Sequence, residues 1–325
     1  MKLLVTGGAG YIGSVMTKQL VEAGHEVTVM DNFTKGHHQA VQSQVRIVES
    51  DLLDPQRLKE VLSEGYTGVL HFAALSLVGE SVTQPERYYR NNVVGTLNLL
   101  DAMRENGVKR LVFSSTAAVY GAPEGIPILE TSPTRPTNPY GGSKLAVDQM
   151  LGFEAEAHGL AAVSLRYFNV AGASGDIGEL HNPETHLIPL VLQAAAGKRE
   201  SVQIYGTDYA TPDGTAIRDY IHVEDLARAH TIAFEHAQAG RHTIYNLGNG
   251  KGFSVREVIE TARRVTGKPI KAIESERRVG DPPVLVASSE KVQRELGWQP
   301  QKPELSTMIA DAWNWMQTHP QGYTS

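Results

Sequence analysis

Leu3-Leu4-Val5-Thr6-Gly7-Gly8-Ala9-Gly10-Tyr11-Ile12-Gly13 is the stretch whose reading decides the fold. Three apolar residues read as a buried strand, the glycines as a tight turn, and the pattern onward to about Ala23 as a helix. Glycines at such a turn let backbone approach a pyrophosphate, and the helix's free N–H groups and dipole favour that anion. A second strand, Val27 to Met30, ends on Asp31. A carboxylate there accepts hydrogen bonds from both ribose hydroxyls and repels a 2′-phosphate, which argues for NAD over NADP. The alternative for Asp31 is a solvated loop acid.

Further strands read at Val45–Val48, Val69–Phe72, Arg110–Phe113 and Ala161–Arg166, with helices near Pro55–Leu62 and Pro85–Asn106 and from Asn138 onward. Strands alternating with helices predict an α/β fold with a Rossmann-type, doubly wound parallel sheet. In such sheets ligands bind at the strands' carboxyl ends. That edge holds Asp51 and Leu52, where Asp51 alternatively caps the next helix, then Phe72, Ala73 and Ala74, the hydroxyls Ser114-Ser115-Thr116, and Tyr167. His71 reads as core. From about Gly172 the alternation fades, which predicts a smaller α+β substrate-binding domain. The expected division is 1–171 and 172–325, with segments near 215–235 and 243–248 returning to the first domain.

Tyr140 lies four residues before Lys144, so a helix presents both on one face. A phenol titrates near 10 and is a poor base at neutral pH unless a cation stabilises the phenolate. The spacing alone is little above chance. Arg218 and the pair Arg277-Arg278 could clamp phosphates bidentately, the alternative being solvated surface charge. The histidines at 181, 186, 222, 230, 236 and 242 show no metal-ligand spacing, so no metal is expected. The net charge of −6 and pI near 6.1 supply no basic field for nucleic acid or an anionic membrane. Without cysteine there are no disulfides or thiolate sites. No apolar run is long enough to span a bilayer, and a cytoplasmic location is expected.

Taken together, the glycine turn, the hydroxyls before Val119-Tyr120-Gly121, Tyr140 with Lys144, Arg166-Tyr167-Phe168-Asn169, and Arg218-Asp219-Tyr220-Ile221-His222-Val223 resemble the extended short-chain dehydrogenase/reductases. Over nearly the full length, through Trp313-Asn314-Trp315 and His319 to Tyr323, the chain is similar to the UDP-glucose 4-epimerases. Related dehydratases carry an Asp-Glu pair where Ala117 and Ala118 stand, and related decarboxylases a glutamate at position 118. The proton-transfer groups those reactions need are therefore missing.

The resemblance implies that Tyr140 takes the proton of the sugar's 4-hydroxyl and that Thr116 bonds the same oxygen. Lys144 would hold the nicotinamide ribose and, with the positive ring, lower the tyrosine's pKa. It implies NAD contacts at Gly7, Gly10, Tyr11, Ile12, Asp31, Asn32, Asp51, Leu52, Phe72, Ala73, Ala74, Asn91, Tyr140, Lys144 and Tyr167. UDP-sugar contacts fall at Thr116, Asn169, Tyr205, Arg218, Tyr220, Arg278 and Asp281. A homodimer is implied, through the helices near 85–106 and 138–158. Ser76, His186 and Leu285 depart from the family's common lysine, asparagine and tyrosine, and the smaller Leu285 leaves room for an N-acetylated sugar. Epimerases of UDP-pentoses or UDP-uronates and a non-catalytic NAD-binding regulator are the competing readings.

Overall fold

Leu3 and Val5 pack into one buried cluster with Val15, Met16 and Leu20, while Leu4 joins another with Leu58, Val61 and Leu99. Successive side chains of a strand point to opposite faces, so this short run needs helices on both sides. The computed structural model describes residues 1–278 and 280–323 and supplies them. The strands are β1 (Lys2–Thr6), β2 (Glu26–Asp31), β3 (Arg46–Glu49), β4 (Gly68–His71), β5 (Arg110–Thr116), β6 (Ala161–Tyr167) and a last strand, Arg241–Leu247. Their order is Arg241–Leu247, β6, β5, β4, β1, β2, β3, every pair parallel. The sheet is doubly wound, as expected, and its order reverses between β1 and β4, which opens the crevice where such sheets bind ligands.

Helix α1 (Tyr11–Glu22) starts directly after the glycine turn and packs beside the helix Val223–His236. Helix α2 (Pro55–Leu62) is capped by Asp54, which accepts a hydrogen bond from Arg57 N at 3.0 Å. The capping alternative for Asp51 is thereby displaced by three residues. The expected continuous helix from Pro85 to Asn106 is instead three pieces: Pro85–Tyr88, a π-helical turn Tyr89–Val94, and Gly95–Glu105. The widened turn carries Asn91 and Asn92, and such turns cluster at functional positions.

Beyond the sheet, the helices Leu187–Ala195, Val255–Thr266 and Leu305–Thr318 share a core that includes Ile188, Val191, Ile259 and Met308. Two-stranded pairings, Val202–Tyr205 with Ala272–Ser275 and Asn169–Ala171 with Tyr220–His222, lie beside it. Among the described residues no helix is long and apolar enough to cross a membrane.

The helix Pro139–His158, begun by Asn138 accepting from Gly141 N at 2.9 Å, is fastened to the sheet by a buried ion pair. Arg166 of β6 reaches Asp148 through Nε and Nη2, both at 2.9 Å, and its Nη1 donates to Tyr120 Oη at 3.0 Å. Ser115 Oγ donates to the same carboxylate at 3.1 Å. Removing one partner of a buried pair strands the other charge in a low-dielectric interior. Arg166→Ala is expected to lower the unfolding free energy by about 3–5 kcal/mol in urea titrations followed by circular dichroism.

Candidate active site

The glycine turn is shaped by what its residues lack. Gly7 has φ +71°, and a Cβ there would lie 2.5 Å from Ala73 N; a Cβ on Gly13 would lie 2.1 Å from the Gly7 carbonyl oxygen. The turn can therefore rest against the segment after β4 only without side chains. Gly10 is the N-cap of α1 and places no side chain over the helix's first N–H groups, so the cradle fits a pyrophosphate. Tyr11 Oη donates to Gly172 O at 2.7 Å and ties this turn to the start of the second lobe. Ile12 packs against the core beneath.

At the end of β2, Asp31 is 8% exposed, so it is not a solvated loop acid. Its carboxylate accepts from Ala9 N at 3.0 Å and Phe33 N at 2.9 Å, while burial raises its pKa. Asn32 donates to Asp51 Oδ2 at 2.7 Å, and Leu53 N donates to Oδ1 at 2.8 Å, which fixes the loop where an adenine would lie. Leu52 is buried beside Gly95. Phe72, Ala73 and Ala74 follow β4, with Phe72 against His230 at 4.7 Å between ring centres. Asn91 donates to Asn92 Oδ1 at 2.9 Å, and Asn92 donates to Leu75 O and Ser143 Oγ, both at 3.0 Å. Asn92 thus joins the π turn to the catalytic helix, a role with no signal in the sequence. His71 is buried, with Thr6 at 2.6 Å and Thr96 at 2.9 Å on its two nitrogens. Burial pulls its pKa down to about 3, so it is a neutral core residue, as read from the sequence.

Each hydroxyl at the end of β5 has a separate task. Ser114 pairs with Tyr167 Oη, Ser115 with Asp148, and Thr116 Oγ1 accepts from Ala118 N at 3.2 Å, capping the turn Ala117–Tyr120. The turn-starting role of a hydroxyl thus holds for Thr116, yet its side chain also meets Tyr140. Burial raises the Tyr140 pKa, and the hydrogen bond with Thr116 lowers it. Lys144 is 2% exposed; Nζ donates to Ser114 O at 2.6 Å and lies 4.6 Å from the centre of the Phe113 ring. Burial brings its pKa down to about 7, against the pull of Asp148. Desolvation disfavours the Tyr140 phenolate, and the hydrogen bond with Thr116 favours it.

Across the crevice, Arg218 forms an ion pair with Asp281, and Arg278 stacks over the Tyr205 ring at 4.0 Å. Asn169 Nδ2 donates to Asp219 O at 2.8 Å, and Tyr220 is buried, which raises its phenol pKa. Arg277 pairs with Asp208 at 2.7 Å and lies over the Tyr209 ring at 4.2 Å, an exposed ion pair that fits the surface-charge alternative. Asp219 is structural, its carboxylate accepting from Asn249, Gly250 and Ala287 N at 2.7, 3.1 and 3.0 Å. Ser76 is exposed, while Leu285 packs with Val119, Tyr120 and Phe168. His186 faces two glutamates, Glu179 and Glu184.

The NAD dependent epimerase/dehydratase family model matches residues 3–248. A UDP-glucose 4-epimerase of Corynebacterium glutamicum is 58% identical over 314 residues, 96% of this chain and 95% of the relative. The crystal structure of UDP-glucose 4-epimerase from Brucella ovis in complex with NAD is 46% identical with a TM-score of 0.93, covering 96% of this chain and 97% of that one. That from Bifidobacterium longum in complex with NAD+ and UDP is 39% identical with a TM-score of 0.93, over 99% and 100%. The chain therefore belongs to the NAD dependent epimerase/dehydratase family, and within it to the UDP-glucose 4-epimerases.

Proposed function

We propose that the chain interconverts UDP-galactose and UDP-glucose by NAD-dependent 4-epimerisation through a transient 4-keto sugar. The observation that carries this reading is that Thr116, at the carboxyl end of β5, hydrogen-bonds Tyr140, which lies one helical turn before the buried Lys144, while Ala117 and Ala118 follow the threonine. The set can move a proton at one sugar oxygen and lacks the further acid and base that elimination needs. When bound, NAD supplies the reversible acceptor for the hydrogen on carbon 4.

The cofactor-free cradle at Gly7 and Gly10, the carboxylate of Asp31 and the buried Lys144 are the groups that fit it. Tyr140 draws the 4-hydroxyl proton and later returns it, Thr116 holds the same oxygen, and Lys144 turns from Ser114 O to the ribose. The positive ring adds the charge that the buried phenol needs. Asn169, Tyr205, Arg218, Tyr220, Arg278 and Asp281 hold UDP while the hexose turns over, between a nucleotide domain of residues 1–171, to which segments near 215–235 and 243–248 return, and the mainly UDP-sugar-binding domain 172–325. A homodimer is proposed on the exposed Val94, Leu97 and Phe153, 44%, 41% and 71% accessible on the two helices named above. The proposed location is the cytoplasm.

Purified protein given UDP-galactose with no added NAD is expected to form UDP-glucose, read by chromatography; consumption of stoichiometric NAD would point to a dehydrogenase instead. Tyr140→Phe is expected to reduce kcat by roughly 100-fold or more while UDP still binds in calorimetry. With Leu285 at the position where the resemblance puts a wall of the sugar pocket, Leu285→Tyr is expected to cut turnover of UDP-N-acetylglucosamine at least about tenfold more than that of UDP-glucose. In NAD-free protein, the depressed Lys144 pKa costs stability fully below pH 7 and less as pH rises toward the unfolded value near 10.4. The stability advantage of Lys144→Met over the parent, from urea melts, is therefore expected to shrink across that interval.

A further inference from the structure

The loop before the helix Leu187–Ala195 gathers four side chains that the chemistry above does not use: Glu179, His181, Glu184 and His186. One ligand atom from each lies within 4.8 Å of all the others. Both imidazoles turn the same nitrogen, Nδ1, to the carboxylates. His186 Nδ1 is 2.9 Å from Glu179 Oε1 and from Glu184 Oε1, and His181 Nδ1 is 3.2 Å and 3.7 Å from Glu179 Oε1 and Glu184 Oε2. A tetrahedral zinc ion bound at about 2.0–2.1 Å separates its ligands by about 3.3 Å, which is the middle of this range. Two imidazoles and two carboxylates are a donor set suited to zinc.

The cluster is also built in place. The two carboxylate side chains are only 8% and 6% exposed. Thr185 N and His186 N donate to Glu184 Oε1 at 2.7 and 2.8 Å, fixing that carboxylate. Upstream, Trp315 Nε1 donates to Asp176 O at 3.0 Å, and Tyr323 Oη exchanges hydrogen bonds with Gly178 N and O, both at 3.0 Å. Hydrogen bonding alone leaves four close nitrogen–oxygen approaches to two N–H groups, and His181 Nδ1 makes no well-formed hydrogen bond although buried.

We propose that Glu179, His181, Glu184 and His186 form a zinc site that clips the loop closed beside the cofactor turn. Burial first, and then Glu179 and Glu184 among other groups, raises the Tyr11 phenol, so a dication at the cluster would also offset negative charge near that side chain. Zinc ligation requires each imidazole to be deprotonated at Nδ1, so uptake depends on pH.

The test uses tag-free protein stripped with a chelator, titrated with zinc chloride and read by calorimetry in buffers of different ionisation enthalpy and by thermal unfolding. The expected result is about one zinc per chain with a melting temperature raised by at least about 2 °C. Glu179→Gln and His181→Ala, which keep a folded circular dichroism spectrum, are each expected to weaken zinc binding at least about tenfold. No saturable uptake by the parent chain overturns the proposal, as does unchanged uptake in both variants.

Discussion

The contact on which the rest depends is the close approach of the first turn to the segment after β4, where Gly7 lies so near Ala73 that a single Cβ would not fit. This approach is steric before it is functional. It brings α1 down over the reversal of strand order, leaves the helix's first N–H groups facing the crevice, and lets Tyr11 reach the Gly172 carbonyl. Without it the two lobes would lose their tie, and the pyrophosphate its seat.

A second layer of order lies beneath the reacting groups. Lys144 and Asp148 are one helical turn apart, and Asp148 is locked by Arg166 and Ser115. Arg166 in turn bonds Tyr120, whose hydroxyl donates to Asn246 Oδ1 at 2.7 Å in the strand Arg241–Leu247. One polar chain therefore runs from the catalytic helix through β6 to the last strand of the sheet. Buried networks of this kind help to fix geometry, although Asp148 Oδ1 has no hydrogen-bond partner in this one. The cost is electrostatic: the same dry interior that orders Lys144 also depresses its pKa, and raises that of Tyr140.

Much of this was legible in the chain. Leu3 to Gly13, Asp31, the hydroxyls of β5 and the Tyr140–Lys144 spacing each follow from local rules, because the periodicity of buried strands and the conformational freedom of glycine act over a few residues. Arg166 carried a signal of its own, a charge inside an apolar strand that had to find a partner. Asn92 carried none, since its two partners lie 17 and 51 residues away and its turn breaks a helix that reads as continuous.

Arg277 and Arg278 are adjacent and alike in sequence, but only the fold pairs one with Asp208 and sets the other over the Tyr205 ring. The same holds for Glu179, His181, Glu184 and His186, whose spacing suggested no ligand set and whose loop nonetheless brings one ligand atom of each within 4.8 Å of the others. The sequence by itself determined the layers, the glycine turn and the placing of Tyr140 and Lys144 one helical turn apart, because those are set by side-chain period and by residues close in the chain. Tertiary structure alone decided the protonation of those groups and the company they keep, because desolvation and long-range partners exist only once distant segments have packed.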